Sequence, residues 1–202
     1  YAYVTTEAED GLLIIDLSPL PQSTNLPTSL YTGPAANPWQ SAHTCFTSES
    51  GYAYIFGANR GEGGVIILDL NTNPMQPIEV GVYDVSYVHD GYERNDTLYT
   101  GHIYDGYLSI LDVSDHSNPV LLATQSTPNF FTHNIWPSAD GSTVTGLYGS
   151  LKMGADGTYT YNGDQTTINL GIGDGLVRLS VGVEDLEDLR ADLAQALPAL
   201  LA

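Results

Sequence analysis

The chain carries one cysteine, Cys45, in 202 residues. No intrachain disulfide can form, although a large β-core needs no such staple and secretion is not excluded by its absence. Lysine and arginine together number 5 against 24 acidic residues, a formal net charge of −19. A chain so poor in cations lacks the groups that grip nucleic-acid phosphates, so nucleic acid is excluded as a partner. Adsorption to anionic membranes is disfavoured on the same ground. No apolar run approaches the length that spans a bilayer, so no transmembrane segment is expected. Serines are abundant, but there is no G-x-S-x-G elbow, and the sequence supports no Ser-His-Asp arrangement. No Walker or dinucleotide glycine pattern precedes a helix. There is no initiator Met and no signal-peptide pattern at Tyr1. The chain therefore reads as a processed product or fragment, its opening YAYV a strand already under way. The acidic excess reads as a solvated surface, with cation binding or a salty exterior as the functional alternatives.

What is present is repetition. GLLIIDLSPLPQ from Gly11, GGVIILDLNTNPMQPIEVGVY from Gly63 and GYLSILDVSDHSNPVLLATQ from Gly106 share one order. Each has glycine, a β-branched apolar run, Asp, an apolar residue and a polar turn. Asp16, Asp69 and Asp112 mark the same position, 53 and 43 residues apart. A tyrosine-bearing strand precedes each run: YAYVTT, GYAYIFGAN and DTLYTGHIY. SAHTCF, SYVHDGY and FTHNIW place His43, His89 and His133 at intervals of 46 and 44 residues. A unit of about 45 residues with four short strands is the size of a propeller blade. The expected strand order in each unit is histidine strand, Tyr strand, LxILD strand, then a last strand such as PIEVGVY or PVLLATQ. The fold class is therefore all-β, a propeller-like set of three to four repeated four-stranded blades with a short C-terminal helix. Pro74, Pro77 and Pro119 fall where no ladder donor is needed, and Gly61, Gly63, Gly64 and Gly106 supply positive φ before the Asp strand. The Pro-, Ser- and Thr-rich stretch between Leu17 and Ser41 reads as an inserted loop.

Three histidines at equivalent repeat positions are the main chemical signal. On inner strands of a propeller they would converge on the central channel. His43, His89 and His133, with Asp90 beside the second imidazole, form the candidate ligand set for zinc or a similar divalent metal with one position open to water. The structural alternative is that each imidazole bonds to a neighbouring blade's backbone. Asp16, Asp69 and Asp112 are assigned to turns, where Asp accepts from the N–H two residues on. Aspartates in DVSDHSN and GADGTYTYNGD are candidate calcium contacts without EF-hand spacing. His102 and His116 fall outside the pattern and are expected to be exposed or locally hydrogen-bonded. Cys45 lies two residues after His43 and on the same strand face, and reads as a small buried apolar residue.

The motifs SAHTCF…GYAYIFGANRGEGGVIILDL, YVHDGY, DGYLSILDVSDHSNPVLL and FTHNIW resemble those of LVIVD-repeat β-propellers of the choice-of-anchor B family. The resemblance runs from residue 1 to about residue 146. It implies a blade fold and an extracellular or bacterial cell-surface location, and leaves the biochemical activity undefined. SLKMGADGTYTYNGD resembles a short hairpin of cadherin-like bacterial adhesin repeats. GDGLVRLSVGVEDLEDLRADLAQAL, from Gly173, resembles the C-terminal end of the pyridoxal-phosphate enzymes of cysteine and methionine metabolism. That resemblance implies a carboxylate-binding role for Arg178. The Schiff-base lysine and phosphate cradle of those enzymes have no counterpart here, so no pyridoxal phosphate is expected.

The organisation read from the chain is 1–146 propeller repeats, 147–182 a further β-hairpin region and partial fourth blade, and 183–202 an amphipathic helix. Val183, Leu186, Leu189 and Leu193 make one apolar stripe on that helix, with Glu184, Asp185, Glu187 and Asp188 near its start. The functional expectation is a secreted or cell-surface interaction scaffold without catalysis, recognising protein or carbohydrate. Self-association through an open strand edge or the C-terminal helix is a further expectation. The alternative is a metal-dependent hydrolase or lyase built on the histidine cluster.

Overall fold

The computed structural model describes residues 1–127, 130–138, 143–146, 149–153 and 159–162. It is an all-β chain of consecutive antiparallel sheets. The first holds β1 (Ala2–Thr5), β2 (Leu12–Ile15) and β3 (Thr28–Tyr31). The second holds β4 (Thr44–Thr47), β5 (Tyr52–Phe56), β6 (Val65–Asp69) and β7 (Ile78–Tyr83). The third holds β8 (Asp90–Arg94), β9 (Thr97–His102), β10 (Tyr107–Asp112) and β11 (Val120–Ser126). The fourth holds β12 (Trp136–Pro137), β13 (Thr143–Gly146), β14 (Gly149–Met153) and β15 (Tyr159–Asn162). Each sheet is a meander in chain order, and the second and third follow the expected order of histidine, Tyr, LxILD and last strand.

The repeat grammar has a conformational basis. Gly11, Gly63 and Gly106, which open the three repeats, have φ of 74°, 76° and 68°. Glycine reaches that region without the Cβ clash that penalises other residues. Gly64 has no such φ; it is needed for space, since a Cβ there would sit 2.2 Å from the Tyr83 carbonyl oxygen. The two-residue hairpin from β8 to β9 places Asn95 and Asp96 at φ of 52° and 60°, the left-handed pair that suits strand twist. A register shift recurs at the same repeat position, between Ile67 and Leu68 and between Ile110 and Leu111.

The weak alternation of the LxILD strands follows from burial on both sides. On β6, Ile66 and Leu68 pack with Leu12, Ile14, Trp39 and Ile55 towards the first sheet. Val65 and Ile67 pack with Phe56, Leu98, Leu111 and Val113 towards the third. Tyr99, Leu108 and Ile110 then meet Ile135 and Val144 of the fourth. Side chains alternate between two interfaces rather than between core and water, so every position reads as apolar. Fully burying one such Leu or Ile is worth about 1.5–3 kcal/mol against leaving it exposed.

One expectation is corrected. The Leu17–Ser41 stretch is not only an insertion: it supplies β3, the outer strand of the first sheet. Its TSLY alternates exposed and half-buried residues and lacks the apolar run that marks the other strands. The same stretch also covers the outward face of that sheet, where Val4, Leu13 and Ile15 pack against Leu17 and Leu26. The C-terminal helix and Arg178 lie outside the described residues, as do most positions of 147–182.

Candidate functional site

His43 and His89 sit immediately before the start of an inner strand, and His133 three residues before one. His43 N–H donates to the Phe56 carbonyl and His89 N–H to that of Gly101, at 3.0 and 2.9 Å. The two bonds are equivalent, joining the inner strand to the Tyr strand of its own sheet. This fixes the imidazoles at one face of consecutive sheets. The rings of His43 and His89 lie 3.9 Å apart, and those of His89 and His133 lie 4.2 Å apart.

The row is held by its Nδ1 atoms. His43 Nδ1 meets Glu7 Oε1 at 2.7 Å. His89 Nδ1 donates to the His133 carbonyl at 2.7 Å, across to the next sheet. His133 Nδ1 meets Asn134 Oδ1. Burial pushes His89 down to about 4, with His43 and His133 adding to the shift while the His133 carbonyl and Asp90 oppose it. The central imidazole is therefore neutral at pH 7.

Asp90, the carboxylate of the ligand set read from the sequence, is engaged with the next sheet. This carboxylate is buried, and its Oδ2 accepts from Ile135 N–H at 3.1 Å and Asn134 Nδ2 at 3.4 Å. It ties β8 to the segment entering β12. Arg94 makes a parallel tie, from Nη1 to the Ser138 carbonyl at 2.8 Å. Among the described residues, no group of three or more His, Cys, Asp or Glu side chains is placed to hold a metal ion. The rings of His43 and His89 are tilted to one another by 41°, and those of His89 and His133 by 50°.

The remaining residues singled out in the sequence fall as follows. Asp16, Asp69 and Asp112 accept from the N–H groups of Ser18, Asn71 and Ser114 at 2.9, 2.8 and 2.9 Å. In DVSDHSN, Asp115 is likewise bonded to Ser117 N–H. Asp156 and Asp164 of the second candidate calcium segment lie outside the described residues. Cys45 packs beside the first interface, its Sγ 3.6 Å from the Tyr3 carbonyl. His116 stacks on Tyr52 with centroids 3.5 Å apart.

His102 is the residue whose environment the sequence did not reveal. Expected to be exposed or locally bonded, it has no exposed surface. Its Nδ1 lies 2.8 Å from Ser86 Oγ, and its Nε2 lies 2.9 Å from Ser109 Oγ and 3.2 Å from Thr100 Oγ1. Burial pushes its pKa down to about 4, against the opposing pull of Asp105 and the Tyr87 backbone. Ser86 is far away in sequence from the partners that define it, and no local motif marks it.

Comparison with known proteins agrees with the repeat architecture. The LVIVD repeat model matches residues 49–85 and 103–127. A crystal structure of a protein from Lactobacillus plantarum superposes with a TM-score of 0.57 at 12% identity, covering 79% of this chain and 50% of that one. The periplasmic gluconolactonase of Pseudomonas aeruginosa superposes at 0.51 with 11% identity, covering 79% of this chain and 52% of that one. At these identities the likeness establishes the fold. The chain spans about half the length of these structural neighbours. The Cys/Met metabolism PLP-dependent enzyme model matches residues 143–198. O-succinylhomoserine sulfhydrylase of Pseudomonas aeruginosa is 63% identical over 30 residues, 15% of this chain and 7% of that protein. The sequence has one lysine, Lys152, and it lies on β14 in the fourth antiparallel sheet. A Schiff-base lysine needs a phosphate cradle at a helix start. Most of the residues that this match covers lie outside the described ones. The chain is thus an all-β protein of LVIVD-type repeats with a propeller-like fold.

Proposed function

We propose that the chain is an interaction module of a secreted or cell-surface protein of the choice-of-anchor B type, and that its histidine row does no chemistry. The observation that carries this reading is the bond from His89 Nδ1 to the His133 carbonyl. An imidazole bonded to a neighbouring sheet's backbone holds blades in register and leaves only its Nε2 open. Asp90, spent on Ile135 and Asn134, supports the same reading. Val85, Tyr104, Phe130 and Phe131 are exposed to solvent, and the Phe131 ring lies 5.9 Å from that of His133. Apolar groups beside acceptors such as Glu7 and Asp105 suit an uncharged partner surface, protein or carbohydrate.

The test is elemental mass spectrometry of the full chain after dialysis against metal-free buffer, paired with a lactone-hydrolysis assay. The reading expects neither stoichiometric metal nor turnover. Near one equivalent of zinc, lost on His89→Ala, would overturn it in favour of a metal-dependent hydrolase. The name of the gluconolactonase neighbour makes its lactone the first substrate to try.

A further inference from the structure

Beyond the scaffold reading, we propose that Ser86 is an activated nucleophile able to take an acyl group from small uncharged esters. Ser86 lies half-buried in the loop between β7 and β8. Its Oγ stands 2.8 Å from His102 Nδ1 and 2.9 Å from Tyr107 Oη. A serine within hydrogen-bond reach of an imidazole, itself oriented by a third group, is the arrangement of an activated hydroxyl.

The hydrogens follow from satisfying the network. Tyr107 donates to Ser86 Oγ, and Ser86 donates to His102 Nδ1. Nε2–H donates to Ser109 Oγ at 2.9 Å. The Ser109 hydroxyl donates to Thr100 Oγ1, which in turn donates to the Ser109 carbonyl at 3.5 Å. In this arrangement the three hydroxyls each accept one bond and donate another, and Nδ1 is left as the acceptor facing Ser86, with the Tyr87 backbone also bonded to the ring. The His102 ring also stacks on Tyr107 with centroids 4.2 Å apart, which fixes its plane.

In the step, Ser86 Oγ attacks the carbonyl carbon of the ester and its proton passes to His102 Nδ1. The bond between the carbonyl carbon and the leaving oxygen breaks, and that oxygen leaves as an alcohol with the proton returned from Nδ1. Ser86 is left as its acyl ester, with no redox change and no further reactant.

The surroundings choose the ester. Tyr104 is 77% and Val85 65% exposed, and the Tyr87 and Tyr104 rings stand 4.9 Å apart. These offer apolar and aromatic contact to an acyl or leaving group. Asp84 and Asp105 flank the loop and the following turn and repel carboxylate-bearing esters.

The experiment is acetylation of the full chain by p-nitrophenyl acetate, with the modified residue located by peptide mass spectrometry. Ser86 is expected to acquire acetyl at least about a hundredfold faster than an exposed serine such as Ser114, the scale of general-base assistance. Ser86→Ala is expected to remove that fast phase. Because His102 is buried and its variants are open to misfolding, nitrogen-15 NMR of the unmodified protein supplies the second readout, with the proton expected on Nε2 of His102. Acetyl spread evenly over exposed hydroxyls, or a proton fixed on Nδ1, would overturn the proposal.

Discussion

His89 reaches from one sheet to the next and donates its Nδ1 proton to the carbonyl of His133, 44 residues on, at 2.7 Å. Asp90 and Arg94 accept from and donate to the same neighbouring segment, 44 or 45 residues along. One inner strand thus fixes the register of the next sheet with three side chains.

Removing the middle of this tie has a defined cost. His89→Ala leaves the His133 carbonyl without its partner and opens a gap between two imidazoles. A loss of about 1–3 kcal/mol in unfolding free energy is expected. His43→Ala breaks a contact to an exposed Glu7 carboxylate. Exposed pairs of that kind are worth at most about 1 kcal/mol. Urea titration of both variants checks the order, and equal losses would remove the special role of the His89 bond.

The folded chain loses stability on acidification in a particular window. His89 and His102 are lowered from 6.5 to about 4, in each case chiefly by burial. Between those values the unfolded chain holds the proton and the folded chain does not, so stability falls as pH drops from 6.5 towards 4. The slope is at most about 1.4 kcal/mol per pH unit for each histidine. His116 is lowered by burial as well and acts in the same direction. The hydrogen bonds from Ser18 and Ser114 hold Asp16 and Asp112 below the usual carboxylate value of 3.8. Their contribution is present above that value and is lost at lower pH. Thermal melts between pH 4 and 7 test the window, and His89→Ala is expected to flatten it.

How much of this was legible depends on the kind of contact. Spacing alone placed His43, His89 and His133 at one repeat position, because a repeated backbone puts equivalent residues at equivalent places. The Asp16, Asp69 and Asp112 turns were legible because their partners lie two residues away. The tie from Asp90 to Asn134 and Ile135 was not legible because those partners lie a whole repeat further on. The burial of His102 was hidden for the same reason: Ser86 sits 16 residues back, on another sheet's connecting loop. β3 escaped notice because an outer strand has water on one side and carries little apolar signal.

Gly106 meets two demands at once. Its φ is 68°, and a Cβ there would lie 2.3 Å from the Phe130 Cα. Backbone cannot swing aside as a flexible side chain can, so Gly106→Ala combines left-handed strain with overpacking, a loss of more than about 1 kcal/mol. At Gly101, whose φ is not positive, the nearest atom to an added Cβ is the Thr132 carbonyl oxygen at 3.2 Å. Gly101→Ala is expected to cost less. Comparing the two melting temperatures separates strain from mere crowding.

Arg60 and Glu79 form a two-pronged ion pair, with Nη1 and Nη2 at 2.9 and 2.8 Å from the two carboxylate oxygens. Their side chains are 10% and 14% exposed, and Nη1 also donates to the Asn37 carbonyl at 2.7 Å. The guanidinium therefore pins the Pro-rich stretch of the first repeat onto the outer strand of the second. Removing one partner strands a desolvated charge, which costs about 3–5 kcal/mol when the pair is fully buried, a ceiling here. Glu79→Ala is expected to leave Arg60 uncompensated, while the double substitution Arg60→Met with Glu79→Leu removes both charges and restores apolar volume. The double variant should be more stable than Glu79→Ala alone. If instead the two lose equal stability, the Asn37 contact rather than the ion pair is what Arg60 supplies.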